Sequence, residues 1–202
     1  LASAKSVGKE IEFKGKNYPI VELTDTVFDE HEVDIAFFSA GGSISAHFAP
    51  FAAASGAVVI DNTSHFRMDP GVPLVVPECN PSDIAQWQNK GIIANPNCST
   101  IQMVQVLKPL DDAFEIQRVD VSTYQATSGA GAEGPVELRN QMNAIVNGGE
   151  ITNTVFQYQI AENVIPQIGS FNDDGYTTEE MKMQNEGRKI LHLPELNVTC
   201  TC

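Results

Sequence analysis

In the stretch GIIANPNCSTIQ, residues 91 to 102, an apolar run ends in Asn95-Pro96-Asn97, Cys98 follows, and Ser99-Thr100 open what reads as a helix. A thiol at such a corner can serve as a nucleophile, because helix N-terminal N–H groups and the positive end of the dipole favour the thiolate. Residue type alone leaves a second reading, the small buried hydrophobe that most free cysteines are. Ser39-Ala40-Gly41-Gly42-Ser43 lies between a predicted strand and a predicted helix. Adjacent glycines there let backbone N–H groups approach a pyrophosphate, although Gly-Gly is equally an ordinary strand-to-helix turn. Arg67, in DNTSHFRMD, carries a guanidinium suited to phosphate or carboxylate, in a segment that reads as a polar loop. Gln125 follows a strand rich in β-formers and precedes the glycine-rich SGAGAEG, so its amide could face a ligand held against that loop. Glu179 and Lys182, three apart on a predicted helix, share a face either as a surface ion pair or as a substrate clamp. His31, His47, His65 and His192 lie in segments without a partner motif, and none reads as a general base.

The elements that must position these residues follow from apolar patterning. Residues 33–40 (VDIAFFSA), 57–62, 73–78 and 91–95 are short, near-continuous apolar runs of the kind that form parallel strands covered on both faces. Between the first two, a helix is expected with Ser43 as N-cap and Gly56 as its stop, kinked or shortened by Pro50. A short helix is expected near Pro81 to Lys90. From Ser99 to Phe114 the apolar positions Ile101, Val104, Leu107 and Leu110 recur at helical spacing, with Ser99 or Thr100 as the cap. Then come a strand within residues 115–127, a helix through PVELRNQMNAIV closed by two glycines, a helix from Thr177 to Leu191 with Thr177 and Glu180 at capping-box spacing, and a final strand LNVTCTC. The expected fold class is α/β: a partial Rossmann-like parallel-sheet domain over residues 1–97, followed by an α+β catalytic and dimerisation domain over 98–202.

Bulk properties narrow the function. With 12 basic and 26 acidic residues the net charge is −14, which opposes nonspecific binding to nucleic acid or anionic membrane, so an anionic ligand must be held by a few local cations. No apolar run reaches membrane-spanning length and the N-terminus lacks a signal-peptide core, so a soluble cytoplasmic protein is expected. Cys79, Cys98, Cys200 and Cys202 show no CxxC pairing, so neither a metal site nor a disulfide framework is expected. The chain opens on Leu1 and stops inside an alternating β-like run, as an internal fragment would.

Taken together, SAGGS, DNTSHFRMD, PLVVPECN, NPNCST, YQATSGAG and EEMKMQNEGRKI resemble segments of aspartate-β-semialdehyde dehydrogenase, in that family's order and across essentially all of the chain. The resemblance implies NADPH-dependent reduction of β-aspartyl phosphate to aspartate semialdehyde with release of phosphate, in the pathway to lysine, methionine and threonine. It implies that Cys98 attacks the acyl phosphate, that Gln125 positions the acyl group and that Asn97 belongs to the active site. It further implies that Arg67 binds phosphate, and that Glu179 and Lys182 bind the substrate amine and phosphate respectively. Ser3, Lys5 and Ser6 fall where the family grips the 2′-phosphate of NADP, with Lys5 standing where arginine is common, and Ser39, Ala40, Gly41 and Gly42 match a cofactor loop. A homodimer is implied as well. The family's glycine-rich first βα turn, its substrate-binding arginine and its general-base histidine have no counterpart between Leu1 and Cys202, so the isolated chain is expected to turn over little or not at all. N-acetyl-γ-glutamyl-phosphate reductase, which frames its cysteine differently, and a non-catalytic nucleotide-binding protein are the rival readings.

Overall fold

The computed structural model describes residues 2–3 and 5–202. Strand β1 (Ala2–Ser3) pairs in parallel with β4 (Val21–Glu22), and between them an exposed hairpin joins β2 (Glu10–Phe13) to β3 (Lys16–Pro19). The hairpin turns at Lys14-Gly15, both at positive φ, the geometry that matches strand twist. Lys-Gly lacks the Asn-Gly or Asp-Gly signature that marks such a hairpin in sequence.

After one helical turn, α1 (Val27–Glu30), the chain builds a three-stranded parallel sheet in the order β5 (Ile35–Phe38), β6 (Val58–Asp61), β7 (Ile92–Ala94), with α2 (Gly42–Ala54) crossing between β5 and β6. Ala49 and Ala52, fully buried, are the small residues through which α2 meets the core.

Several expectations for this region are corrected. Strand β5 is covered on one face only: Ala36 and Phe38 are buried, while Ile35 is exposed and Phe37 is 77% exposed, the period-two pattern of a half-buried strand. Residues 73–76 are buried and Pro77 and Glu78 are exposed, and the segment forms no strand beyond the single bridge Leu74–Ala94. Pro73 and Pro77 bring no N–H to a ladder, and Asn80 takes over the polar groups between them: its Oδ1 accepts from Val76 N and its Nδ2 donates to the Leu74 carbonyl. The short helix expected near Pro81 to Lys90 is present, as a 3-10 helix over Pro81–Asn89. Helix α2 starts at Gly42 with Gly41, not Ser43, at the N-cap, and it runs on through Pro50 to Ala54.

The remainder comprises α3 (Cys98–Phe114), β8 (Arg118–Ser122), a 3-10 turn at Thr127–Ala130, α4 (Glu133–Asn147), α5 (Thr178–Leu191) and β9 (Asn197–Thr201), with β9 parallel to β8. Helix α5 carries the expected capping box: Thr177 Oγ1 accepts from Glu180 N, and Glu180 Oε2 accepts from Thr177 N. It packs on α3 and β9, and at Gly187 it comes so near Met103 that a methyl group there would press on the thioether. One hydrophobic cluster runs from Val59 and Leu74 through Val104 and Met183 to Ile190 and Val198, joining the parallel sheet to the elements after Cys98.

Between α4 and α5 the chain is largely irregular, and two buried α4 side chains pin its first part. The Glu137 carboxylate accepts from the N–H groups of Thr154, Val155 and Phe156 and from the Thr154 hydroxyl; Gln141 donates to Thr152 O and accepts from Ile160 N and Ala161 N. Burial pushes the Glu137 carboxyl up, and those hydrogen bonds outweigh it, holding the group below the ordinary carboxylate range. Its contribution to stability is therefore present above the unfolded-state value of about 4.3 and is lost as pH falls through the lower folded value. Glu137→Ala should destabilise the protein by about 1–3 kcal/mol. Amide exchange at residues 154–156 should rise with it, and acidification of the wild type below about pH 4 should have the same local effect.

Candidate active site

Strand β7 ends at Ala94 and α3 begins at Cys98, so the turn between them decides where the thiol points. Asn97 is the N-cap: its Oδ1 accepts from Ser99 N at 3.0 Å and Thr100 N at 3.1 Å. The expectation of a Ser99 or Thr100 cap is corrected, because an asparagine one residue ahead of the helix reaches the same amides, and the Thr100 hydroxyl is buried without a partner among the described residues. Cys98 is thereby the first residue of a 17-residue helix and is exposed.

The thiol faces a cleft of about 490 Å³ that brings together residues from three elements: Cys98 and Gln102 of α3, the segment from Val121 to Gly129, and Met183 of α5. Across it, the Gln125 amide oxygen lies 3.9 Å from Cys98 Sγ, within reach of a thiol hydrogen bond. Gln125 lies over Gly129, where a Cβ would fall inside its amide group, so the glycine of the SGAG turn is what gives the glutamine its place. A larger cleft of about 770 Å³ adjoins it, sharing Gln125 and Gly129 and walled by the irregular segment after α4. No histidine lines either cleft among the described residues.

The other cysteines differ in kind. Cys79, Cys200 and Cys202 are buried; burial pushes the Cys200 thiol up to about 12 and also raises Cys79 and Cys202.

Asn97 is held from α5. Its Nδ2 donates to Glu179 Oε1 at 2.7 Å, and Lys182 Nζ donates to Glu179 Oε2 at 3.1 Å, so the expected Glu179–Lys182 pair is present and is joined to the helix cap. Glu179 is buried and Lys182 partly exposed. Arg67 departs from its expected setting. It is buried and donates from all three nitrogens: Nε to Asn95 O, Nη2 to Asn62 O, and Nη1 to Glu186 Oε1 at 3.1 Å. It is not a solvated loop residue, and two of its five N–H groups remain for any other acceptor. Glu186, Asn95 and Asn62 were not singled out in the sequence. Glu186 alone had a legible signal, two helical turns beyond Glu179 and so on the same face of the predicted helix.

Of the expected cofactor residues, Ser3, Lys5 and Ser6 form one turn, in which Ser3 Oγ accepts from the N–H groups of Lys5 and Ser6. Ser39, Ala40, Gly41 and Gly42 form another, between β5 and α2. Gly41 has φ 104° and ψ 154°, a conformation open to glycine alone, and there is free space where its side chain would stand. Gly41 brings no side-chain cap to the N-terminus of α2 among the described residues. Ser39 Oγ accepts from Asn62 Nδ2, and Asn62 Oδ1 accepts from Asn95 Nδ2, so a line of amides connects this loop to the turn that carries Cys98.

The semialdehyde dehydrogenase NAD binding domain matches residues 1–87, and the semialdehyde dehydrogenase dimerisation domain matches residues 107–202. Aspartate-semialdehyde dehydrogenase of Campylobacter jejuni is 64% identical over the whole of this chain. The chain belongs to the aspartate-semialdehyde dehydrogenase family. It spans 59% of the length of that relative, and 59% of the Bacillus subtilis enzyme, to which it is 52% identical. The crystal structure of aspartate semialdehyde dehydrogenase II from Vibrio cholerae superposes with a TM-score of 0.94 at 52% identity, over 99% of this chain and 59% of that one. The same Vibrio enzyme is also known complexed with ASA, at 51% identity to this chain.

Exposure separates the thiols, so iodoacetamide at neutral pH should alkylate Cys98 at least tenfold faster than Cys79, Cys200 or Cys202 in the folded chain. Peptide mass spectrometry reads the result directly; equal labelling of all four would contradict the site.

Proposed function

We propose that the protein carries out the NADPH-dependent reductive dephosphorylation of β-aspartyl phosphate to aspartate semialdehyde through a thioester on Cys98. The observation that carries the reading is the exposed thiol at the first position of α3, facing the Gln125 amide across an open cleft. In this reading Cys98 Sγ attacks the acyl carbon, the carbon–oxygen bond to phosphate breaks, and phosphate departs. Gln125 orients the acyl group, and Asn97 fixes the helix end on which the nucleophile stands. Glu179 receives the substrate amine, while phosphate is assigned to Lys182 and to the two N–H groups that Arg67 has left.

The loop Ser39–Gly42 fits a dinucleotide, because it combines an uncapped helix start with free space beside Gly41; the turn of Ser3, Lys5 and Ser6 would hold the 2′-phosphate. A hydride, delivered to the acyl carbon on Cys98, is the chemistry that bound NADPH supplies. Residues 1–97 then form the cofactor-binding part and 98–202 the catalytic and dimerisation part of a cytoplasmic homodimer. No described helix is long and apolar enough to cross a membrane.

The test is turnover of β-aspartyl phosphate beside N-acetyl-γ-glutamyl phosphate, with NADPH oxidation as the readout, by the protein that carries this sequence. The aspartyl substrate should be strongly preferred. Cys98→Ala should abolish turnover, and Gln125→Ala should lower kcat by about 10²–10³-fold, the usual cost of losing a polar group aimed at the reacting acyl oxygen. Preference for the glutamyl substrate, or full activity of Cys98→Ala, would overturn the assignment.

A further inference from the structure

The polar groups of the turn beneath Cys98 lead to a residue that the reading above leaves unused. Glu186, on α5, is 2% exposed, and its carboxylate faces two ways. Oε1 accepts from Arg67 Nη1 at 3.1 Å, and Oε2 accepts from the Asn97 main-chain N–H at 2.7 Å. Arg67 in turn donates to Asn95 O, so the ion pair holds the turn at both ends, by the carbonyl of Asn95 and the amide of Asn97. Between them stands Pro96, which has no N–H to contribute.

Two carboxylates of α5 therefore hold Asn97: Glu179 by its side-chain amide and Glu186 by its backbone. The two bonds differ in consequence. Loss of Glu179 would leave the Asn97 backbone in place. Loss of Glu186 leaves a buried N–H without an acceptor at the residue that caps α3, one position before the thiol.

We propose that Glu186 is a positioning residue for Cys98, which seats the Asn97 peptide and, braced by Arg67, fixes the N-terminus of α3 on which the thiol stands. The inference rests on reading Cys98 as the nucleophile, but its geometry can be tested without turnover. Glu186→Gln and Glu186→Met both remove the charge and both leave Arg67 without its carboxylate, with side chains of similar length. Only glutamine retains an acceptor for Asn97 N–H, so the difference between the variants isolates that bond.

In the 202-residue chain, amide exchange at Asn97, Ser99 and Thr100 and the iodoacetamide rate at Cys98 are measured for wild type and both variants at one pH. Glu186→Met should raise exchange at these amides about tenfold or more relative to Glu186→Gln, the factor that 1.4 kcal/mol of lost hydrogen bond gives. It should also slow Cys98 alkylation about threefold or more, because a frayed helix start no longer directs its N–H groups at the thiolate. Where Glu186→Met does not fold, Glu186→Ala replaces it with the same loss. Equal exchange and equal alkylation in the two variants would overturn the proposal, as would freed amides with an unchanged Cys98 rate. Failure of the aspartyl phosphate assay in the whole protein that carries this sequence, with this pattern intact, would instead count against the reaction assigned to Cys98.

Discussion

Proline at position 96 removes one amide hydrogen from the turn between β7 and α3, and each remaining backbone polar group of that turn is bonded. Asn95 N donates to Asp61 O, Asn95 O accepts from Arg67, Pro96 O accepts from the Asn95 side chain, Asn97 N donates to Glu186, and Asn97 O accepts from Ile101 N. A buried turn with all of its polar groups satisfied has one low-energy arrangement, because any shift breaks a hydrogen bond away from water. The parallel sheet, α3 and α5 all contribute partners, so the thiol's position depends on the packing of all three.

Charge follows the same logic. A chain with net charge −14 repels anions in general, and two of the cations it places around Asn97 are already paired, Arg67 with Glu186 and Lys182 with Glu179. Buried carboxylates would be costly without these partners. Burial pushes the Glu186 carboxyl up, and the Asn97 N–H and the Arg67 guanidinium pull against it. Lys189, partly buried, braces the same region by donating to the carbonyls of Arg67, Asp69 and Val72, which secures the loop from which Arg67 reaches inward. The rigidity of the site thus comes from polar groups bonded across distant segments, laid over an apolar core that joins both halves of the chain.

That division explains what could be read from sequence. Elements with a strong period and a local cap were legible: α3 from the spacing of Ile101, Val104 and Leu107, α4 from its glycine stop at Gly148, and α5 from the Thr177–Glu180 box. The corner at Cys98 was legible from residue type, whereas its link with Gln125 came only with the family resemblance, because the SGAG turn by itself marks no more than a place where the glutamine amide could meet a ligand. What escaped were bonds between a side chain and a distant backbone. Asn80 dissolves an expected strand, and Glu137 and Gln141 anchor an irregular segment, none of which leaves a periodic trace. Arg67 read as a loop cation because nothing near it announces Glu186, 119 residues further on.

The central claim is that Cys98 forms a covalent bond to the acyl group of its substrate. The direct measurement is mass spectrometry of the protein incubated with β-aspartyl phosphate without NADPH and quenched in acid. The account predicts an aspartyl adduct on the peptide containing Cys98, removed by hydroxylamine as a thioester should be, with Cys79, Cys200 and Cys202 unmodified. Release of phosphate without any adduct on Cys98, or an adduct on one of the buried thiols, would contradict it.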